Sequence, residues 1–241
     1  MAINALPQFI RDNYQHMEYN HATAILQSDF PNEWNDLIEV LTDFRLYRSA
    51  VLEPGKNKSP IANALDGQLY DRGWQEKQFQ TSTIVDGVVR ETPTHKVDCF
   101  KNKIAIEIEW NNKDPFFDRD LENFKRLHAD GVISIGGIIT RGVSLHESLR
   151  EVAAKFARKY AINNFKTLSQ YYTPTHRQQT MIENRTKVKG AFEEGWADAF
   201  VADKFGEATT HWRKLEERVK RGVGNPCPLL LIGIPKQVII L

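Results

Sequence analysis

The segment THKVDCFKNKIAIEIEWNNKDPFFDRDLENF (94–124) combines a hairpin pattern with a row of acidic residues. Along 104–109, isoleucines alternate with alanine, Glu107 and Glu109, which is the two-residue period of a strand with one apolar face. The stretch FKNKI predicts a tight turn, so Asp98 on the preceding strand is expected to lie across from Glu107. Carboxylates held this close repel one another and raise their own pKa values unless a cation joins them.

Two interpretations of these carboxylates follow from the residues alone. Two or three oxygens gathered at one end of a hairpin suit Mg²⁺, which prefers carboxylates, a backbone carbonyl and retained waters. The alternative is a solvent-facing strand edge, in which Glu107 and Glu109 form ion pairs with Lys101 and Lys103. An acidic pair on a strand has little specificity, so the rest of the chain has to decide between the two.

The composition is that of an ordinary folded protein with a core. The chain has 241 residues, of which 41% are hydrophobic and 26% are charged. Its formal net charge of +1 predicts no general affinity for nucleic acid, although a basic cleft remains compatible with it. Cys99 and Cys227 lie far apart without a partner motif, which disfavours a zinc site or a disulfide scaffold and favours a reducing compartment. Without a long apolar run or a signal-peptide core, we expect a cytoplasmic protein with no membrane partner.

The spacing of apolar residues divides the chain into helices and strands. The predicted helices cover about 32–44, 60–72, 117–129, 144–164, 176–205 and 209–221. Ser59 is the predicted N-cap of the second helix, and Pro60 is its predicted first residue. The predicted strands cover about 77–86, 88–100 with a break at Pro93, 103–110, 131–140 and 228–234. This order predicts an α/β fold, in which a mixed central sheet is flanked by helices and further helices are added in the C-terminal half. We expect a single domain over 1–241.

The acidic segment resembles the PD-(D/E)xK nucleases, and within them the type II restriction endonucleases of the BamHI and BglII kind. In those enzymes an aspartate at a strand start is followed, on the next strand, by Glu-x-Glu or Glu-x-Gln in place of Glu-x-Lys. The matching residues here are Asp98 and then Glu107-Ile108-Glu109. The similarity extends through SPIANALDGQLYDRGWQEK (59–77), GVISIGGIITRG (131–142) and HWRKLEERVKRGVGNPCPLLLIGI (211–234), and is poor over 1–50 and 165–205.

Two departures from the family pattern stand out. Val97 occupies the position of the usual proline before the aspartate, and Glu109 occupies that of the usual lysine. The second departure leaves the identity of the general base open. By the resemblance, Glu76 or Lys77 is a candidate for holding the attacking water, and an ordinary surface charge is the alternative.

The resemblance implies a restriction-endonuclease-like core over about 59–141, a helical DNA-reading and dimer region over about 142–224, and a closing strand over about 228–234. It implies an Mg²⁺-dependent type II restriction endonuclease that hydrolyses double-stranded DNA at a short palindrome and leaves 5′ overhangs. Asp98, Glu107 and the Ile108 carbonyl would hold the metal, and Glu109 would orient or deprotonate the water. A DNA-repair or structure-specific nuclease and an inactive DNA-binding module with the same core remain alternatives.

The expected partners are double-stranded DNA, a second copy of the chain in a homodimer, and a DNA methyltransferase as a genetic partner. Asparagine pairs with adenine and arginine with guanine in the major groove. The candidate DNA-binding residues are Asn111, Asn112, Lys113, Asp114, Arg141, Thr209, Thr210 and His211. Arg141, which follows a predicted buried strand, is expected to contact a phosphate. The alternatives are a turn for the asparagines, a helix N-cap for the threonines and a solvated charge for Arg141.

A dimer seam is expected in the helices after residue 143. Helix 144–164 carries an apolar stripe, and Phe192, Trp196 and Phe200 follow at a spacing of four. The alternative is that these side chains cover only the core of their own chain.

Overall fold

The computed structural model describes residues 6–52, 59–93 and 95–240. Its strands are β1 (Gln15–Tyr19), β2 (Leu46–Tyr47), β3 (Gln75–Lys77), β4 (Gln80–Val85), β5 (Val88–Pro93), β6 (Val97–Lys101), β7 (Ile104–Glu109), β8 (Ile135–Arg141), β9 (Leu229–Ile234) and β10 (Ile239–Ile240). A six-stranded mixed sheet in the order β1-β9-β8-β7-β6-β3 forms the centre of the fold. Strands β7, β8 and β9 run parallel, and β1, β6 and β3 each pair antiparallel with their neighbours.

Helices cover both faces of this sheet. They are α1 (Gln8–Asn13), α2 (Ala22–Asp29), α3 (Pro31–Asp43), α4 (Arg48–Leu52), α5 (Pro60–Tyr70), α6 (Phe116–Ala129), α7 (Val143–Lys159), α8 (Phe165–Leu168), α9 (His176–Lys189), α10 (Phe192–Lys204) and α11 (Trp212–Lys220), with a 3-10 turn at Lys236–Val238. Helices α1 through α5, α7 and α10 pack against one face of the sheet and share one hydrophobic cluster with it. Helices α6 and α11 pack against the other face through a second cluster.

The alternation along β7 sends its side chains to these two clusters in turn. Ile104, Ile106 and Ile108 enter the larger cluster, and Ala105 enters the smaller one beneath α6. Since Glu107 and Glu109 follow Ala105 at a spacing of two, they also point toward the α6 side.

The glycine pair of β8 makes room for large side chains from α6 and from the neighbouring strand β7. A Cβ on Gly136 would lie 2.5 Å from the ring of Phe124, and a Cβ on Gly137 would run into the side chain of Ile106. Each glycine therefore makes room for a large side chain on one face of the sheet.

The prediction of a mixed α/β fold with a central sheet flanked by helices is confirmed. The start of α5 follows its sequence signals, since Ser59 accepts a hydrogen bond from Ala62 N–H at 3.0 Å and Pro60 begins the helix. The Asn102-Lys103 turn joins β6 to β7 with both φ angles positive, at 44° and 68°. Two-residue hairpin turns favour this backbone conformation because its twist matches that of the strands.

Several features differ from the sequence prediction, among them the predicted helix 176–205, which is divided into α9 and α10. The edge strand β1 is not predicted, because all of its residues are half-buried and its sequence QHMEY shows no clear alternation. The predicted strand 77–86 is divided between β3, in the main sheet, and β4, which pairs only with β5 in a separate hairpin. Among the described residues, every helix is too short or too polar to cross a membrane.

Candidate active site

The β6–β7 hairpin brings Asp98 and Glu107 together. The ladder pairs Cys99 with Ile106, and continuing its register by one step places Asp98 opposite Glu107. Asp98 N–H donates a hydrogen bond to Glu107 Oε2 at 3.2 Å, and Ile108 N–H donates one to Asp98 Oδ2 at 3.0 Å. Two main-chain groups thus orient two acidic side chains at the point where the hairpin opens.

The solvent-facing alternative for the acidic strand is wrong. Glu107 and Glu109 are each only 2% exposed, so neither lies at a solvated edge. Lys101, one of the expected ion-pair partners, instead contacts Asp36 at 2.8 Å and the Arg72 carbonyl at 2.8 Å. The two glutamates are therefore buried beneath α6.

A further buried carboxylate, Asp120 of α6, joins this group. It is fully buried, and the Glu109 and Asp120 carboxyl groups share a hydrogen bond. Sequence reasoning missed Asp120, although a signal was present. Asp120 lies three residues after Phe117 and four before Phe124, on the apolar face of the helix, where an acidic side chain is unusual.

Burial controls the protonation of these groups. Desolvation, and then the nearby Asp120 carboxylate, raise the pKa of Glu109 to about 9. The same causes, together with Asp98, hold the pKa of Glu107 well above its usual value, and desolvation raises the pKa of Asp120. Without a cation, therefore, the Glu109 carboxyl group retains its proton near neutral pH.

Two oxygen atoms of this group have unmet bonding capacity. Glu107 Oε1 and Asp120 Oδ2 are buried without a hydrogen-bond partner among the described residues. Burying such atoms without a partner costs free energy that a metal ligand bond would offset. Carboxylate oxygens are the ligands that a hard divalent cation takes, so the chemistry of these residues fits such an ion.

Arg119 supplies positive charge beside the carboxylates. Its guanidinium lies 2.8 Å from Asp120 Oδ1 and 3.7 Å from Glu109 Oε1, and it stacks over the Phe116 ring at 4.1 Å. The side chain keeps 35% of its surface exposed, so it can also meet a ligand. Sequence reasoning did not select Arg119 either.

These side chains lie in a polar cleft of about 370 Å³. Its lining includes Glu76, His95, Lys96, Asp98, Glu107, Ile108, Glu109, Trp110, Asn111, Asn112, Phe116 and Arg119. Glu76 forms an ion pair with Lys96 at the cleft, whereas Lys77 lies over the rings of Phe79 and Phe100. Of the two candidates for holding water, only Glu76 lines the cleft.

The two loops with candidate DNA-binding residues are hydrogen-bonded to each other. Thr210 N–H donates to the Asn112 carbonyl at 2.8 Å, and Lys113 pairs with Thr209 in an antiparallel bridge. The Asn112 side chain donates to Glu109 Oε2 at 2.8 Å, and Asp114 accepts from Arg218 at 3.1 Å. The loop after β7 is therefore coupled both to the carboxylates and to the loop before α11.

Arg141 lies behind these loops and not at the surface where a phosphate contact was expected. It is fully buried, and its Nη2 donates to Thr209 Oγ1 at 2.7 Å and to the Thr210 carbonyl at 2.6 Å. Burial lowers its pKa to about 9, which still leaves it charged at neutral pH. Thr210 and His211 are also buried, so of the three residues in the second loop only Thr209 is partly exposed.

The N-cap alternative for the threonines is wrong, because His211 occupies the N-cap position of α11. Thr209 instead donates its hydroxyl to the Gly206 carbonyl at 2.8 Å.

The aromatic residues expected at a dimer seam are used within their own chain. Trp196 is 2% exposed and donates its indole N–H to the Tyr172 hydroxyl at 3.0 Å. Phe192 packs edge-on against Phe165, and both Phe192 and Phe200 pack against the main core. Trp196 therefore serves the core of its own chain, whereas Phe192 and Phe200 contribute to that core and stay partly exposed, so the intersubunit seam remains a prediction.

One comparison with known proteins decides the family. A family model described as restriction endonuclease BglII/BglIII matches residues 14–234. That span begins just before β1 and ends with β9, so it contains the whole central sheet and its carboxylate cleft. The chain belongs to the BglII/BglIII restriction endonuclease family. No curated protein sequence matches it significantly.

Membership defines the general activity. The protein is a type II restriction endonuclease, a site-specific deoxyribonuclease that binds double-stranded DNA and hydrolyses its phosphodiester bonds. Enzymes of this kind generally use divalent metal ions. The carboxylates around Glu107 Oε1 agree with that requirement.

Proposed function

We propose that this enzyme uses Mg²⁺ to cut both strands of a short palindrome and leaves 5′ overhangs, with Asp98, Glu107 and Glu109 as its catalytic carboxylates. The observation that carries the proposal is the pairing of Asp98 with Glu107 across the hairpin, beside the unpartnered Glu107 Oε1. We expect it to act in the cytoplasm, where the DNA substrate of a restriction enzyme lies.

Asp98, Glu107 and the carbonyl of Ile108 are the residues that would hold Mg²⁺. When bound there, the ion supplies positive charge that polarises the phosphoryl group and makes a bound water more acidic. The hydrogen bonds of Asp98 N–H and Ile108 N–H hold the two carboxylates in place before the ion arrives. This preorganisation lowers the conformational cost of binding.

Glu109 and Arg119 would act on the reacting groups. Glu109 takes the place of the lysine in related nucleases, and we assign it to orient the attacking water and accept its proton. Its Oε2 is positioned by Asn112 and its Oε1 faces Arg119. Arg119, partly exposed in the cleft, would neutralise charge that develops on the phosphate oxygens.

DNA reading is assigned to the paired loops. Asn111, Asn112, Lys113, Asp114 and Thr209 lie on the part of this pair that is partly or fully exposed, next to the catalytic strand. Arg141, Thr210 and His211 would position this surface from behind, since their side chains are buried. Through the hydrogen bond from Asn112 to Glu109, a conformational change of the DNA-reading loop would alter the position of the catalytic carboxylate.

A homodimer follows from the proposed palindrome. One active site per chain reaches one strand, so a two-fold dimer matches the symmetry of the DNA. Because Trp196 is buried within its own chain and Phe192 and Phe200 pack partly against the same core, the seam is not assigned to these three side chains. A DNA methyltransferase of the same specificity is the expected genetic partner.

The test is cleavage of plasmid and genomic DNA in Mg²⁺, followed by sequencing of the cut ends. Discrete fragments with identical 5′ overhangs support the proposal. Smearing would indicate a structure-specific or non-specific nuclease, and binding without cutting would indicate a DNA-binding module. Asp86→Asn is the matched control, because Asp86 is an exposed turn residue of the β4–β5 hairpin.

A further inference from the structure

Three metal-ligating side chains converge outside the catalytic cleft. They are His146 on α7, Glu207 in the segment after α10, and His211 at the start of α11. One possible ligand atom from each lies within 4.8 Å of the other two. His211 Nε2 is 3.5 Å from Glu207 Oε2, and His146 Nε2 is 3.9 Å from Glu207 Oε1. None of the three lines the carboxylate cleft.

Two ring nitrogens of this cluster have unmet bonding capacity. His211 is 2% exposed, and its Nε2, the atom directed at Glu207, is buried without a hydrogen-bond partner among the described residues. His146 Nδ1 is likewise buried and unpartnered there. A buried polar atom without a partner costs free energy, and a metal ion would satisfy a ring nitrogen by accepting its lone pair.

Both histidine rings are uncharged, which is the form of imidazole that binds metal ions. Burial, and then the positive charge of Arg141, hold the pKa of both imidazoles below the usual range, that of His146 at about 4. Both rings are therefore neutral at neutral pH and carry a free lone pair. The two rings stack with centroids 4.4 Å apart and an angle of 16° between their planes.

We propose that His146, Glu207 and His211 form a second metal site, selective for a transition-metal ion such as Zn²⁺ and distinct from the carboxylate site. Two imidazoles and one carboxylate are ligands that suit Zn²⁺, whereas the carboxylate cleft suits Mg²⁺. Three protein ligands leave a fourth, tetrahedral position for water. Glu207, with 78% of its side chain exposed, can move onto the ion, and one ring has to rotate out of the stack.

The position of this site gives it a structural role. It would connect α7, the segment before Thr209, and α11, and Arg141 already holds Thr209 and the Thr210 carbonyl from the same side. An ion at the cluster would therefore fix the loop before α11, which carries part of the proposed DNA-reading surface. We assign these ligands as positioning residues, because none lies among the catalytic carboxylates.

The experiment measures metal binding without relying on DNA cleavage. EDTA-treated protein that carries Asp98→Asn and Glu107→Gln, to disable the carboxylate site, is titrated with Zn²⁺ by calorimetry and with Co²⁺ by visible absorption. We expect one equivalent to bind, tetrahedral Co²⁺ absorption bands, and a Tm that rises with Zn²⁺. Glu207→Gln should weaken Zn²⁺ binding by at least about 10-fold, the lower limit for losing even an outer partner of a metal site.

Matched variants separate the site from general metal binding. His176→Gln removes an exposed histidine at the start of α9, and Glu217→Gln removes an exposed carboxylate on α11, so both should bind Zn²⁺ like the parent. His146→Gln should lose the Co²⁺ bands. Glu207→Gln changes only an exposed side chain and keeps the test decisive if a histidine variant misfolds. Unchanged Zn²⁺ binding in Glu207→Gln, or no binding in the parent, would overturn the proposal and leave a stacked imidazole pair.

Discussion

Asp98 N–H donates a hydrogen bond to Glu107 Oε2 at 3.2 Å, across the mouth of the β6–β7 hairpin. The acidic residue on one strand is thus oriented by the main chain of the other, and Ile108 N–H orients Asp98 in return at 3.0 Å. Because of these two hydrogen bonds, the positions of the proposed metal ligands depend on the register in which β6 and β7 pair. Substitutions at this pair and in its surroundings therefore test the role of each group separately.

Asp98→Asn and Glu107→Gln should each lower the cleavage rate by more than about 100-fold, because each removes a proposed metal ligand and not only an outer partner. Specific DNA binding in Ca²⁺ should change little, since neither side chain is assigned to a base. Rates come from plasmid cleavage and affinities from fluorescence anisotropy, with Asp86→Asn as control. Activity within tenfold of wild type in either variant would contradict the metal assignment.

Substitutions at Glu109 distinguish a catalytic carboxylate from a buried structural carboxyl group. Glu109→Lys restores the residue that related nucleases carry and should retain measurable cleavage, whereas Glu109→Ala should lose nearly all activity. The new lysine could contact the neighbouring Asp120, which already shares a hydrogen bond with Glu109. Single-turnover cleavage in Mg²⁺ measures both variants. An alanine variant with full activity would reduce Glu109 to a buried structural carboxyl group.

The buried carboxyl groups predict a pH-dependent stability in EDTA. Their pKa values are raised in the folded state, that of Glu109 from 4.5 to about 9, so the folded protein holds protons that the unfolded chain releases. The contribution of Glu109 to stability is complete below pH 4.5 and is lost as the pH rises through about 9. The Tm should therefore fall across this window.

Asp120→Asn removes one of the repelling charges, so the slope of Tm against pH should become shallower. Glu122→Gln, on the exposed face of α6, should leave the slope unchanged. A divalent ion binds the ionised carboxylates and should flatten the wild-type curve. Thermal denaturation in matched buffers measures all three effects. Equal slopes in Asp120→Asn and wild type would show that repulsion from Asp120 does not cause the pH dependence.

Arg141→Lys tests whether Arg141 acts from behind the loop. Lysine cannot reproduce the hydrogen bonds that the guanidinium makes to Thr209 and Thr210. The free energy of unfolding should therefore fall by about 1–3 kcal/mol, the range for a buried polar group left unpaired. DNA affinity should fall without a change in its salt dependence. Arg158→Lys, at an exposed position, is the control. A variant with normal stability but a smaller salt slope would instead indicate a phosphate contact.

The proposed palindrome predicts a dimer on DNA. Sedimentation should find two chains on one cognate duplex, and Phe200→Ala should lower the Tm, because Phe200 packs against its own core. The ratio of chains to duplex should not change in that variant. One chain per cognate duplex would contradict the dimer and favour a nicking or repair nuclease.

Local patterns in the sequence determined the catalytic hairpin. The alternation along 104–109 and the Asn102-Lys103 turn predict the register that places Asp98 beside Glu107, because a hairpin joins residues that are near in the chain. The same short-range rules predict α5 and its Ser59 cap. These rules do not predict edge strand β1, because its residues are half-buried on both faces and its sequence therefore shows no alternation of apolar and polar residues.

Only the tertiary structure decided which groups surround that hairpin. Asp120 and Arg119 reach Glu109 because α6 packs across the sheet, and Asn112 meets Thr210 although 98 residues separate them. Likewise the burial of Arg141 depends on distant segments closing over it. Periodicity and turn geometry report neighbours along the chain, whereas these contacts depend on how complete helices and loops pack against one another, so no local pattern could specify them.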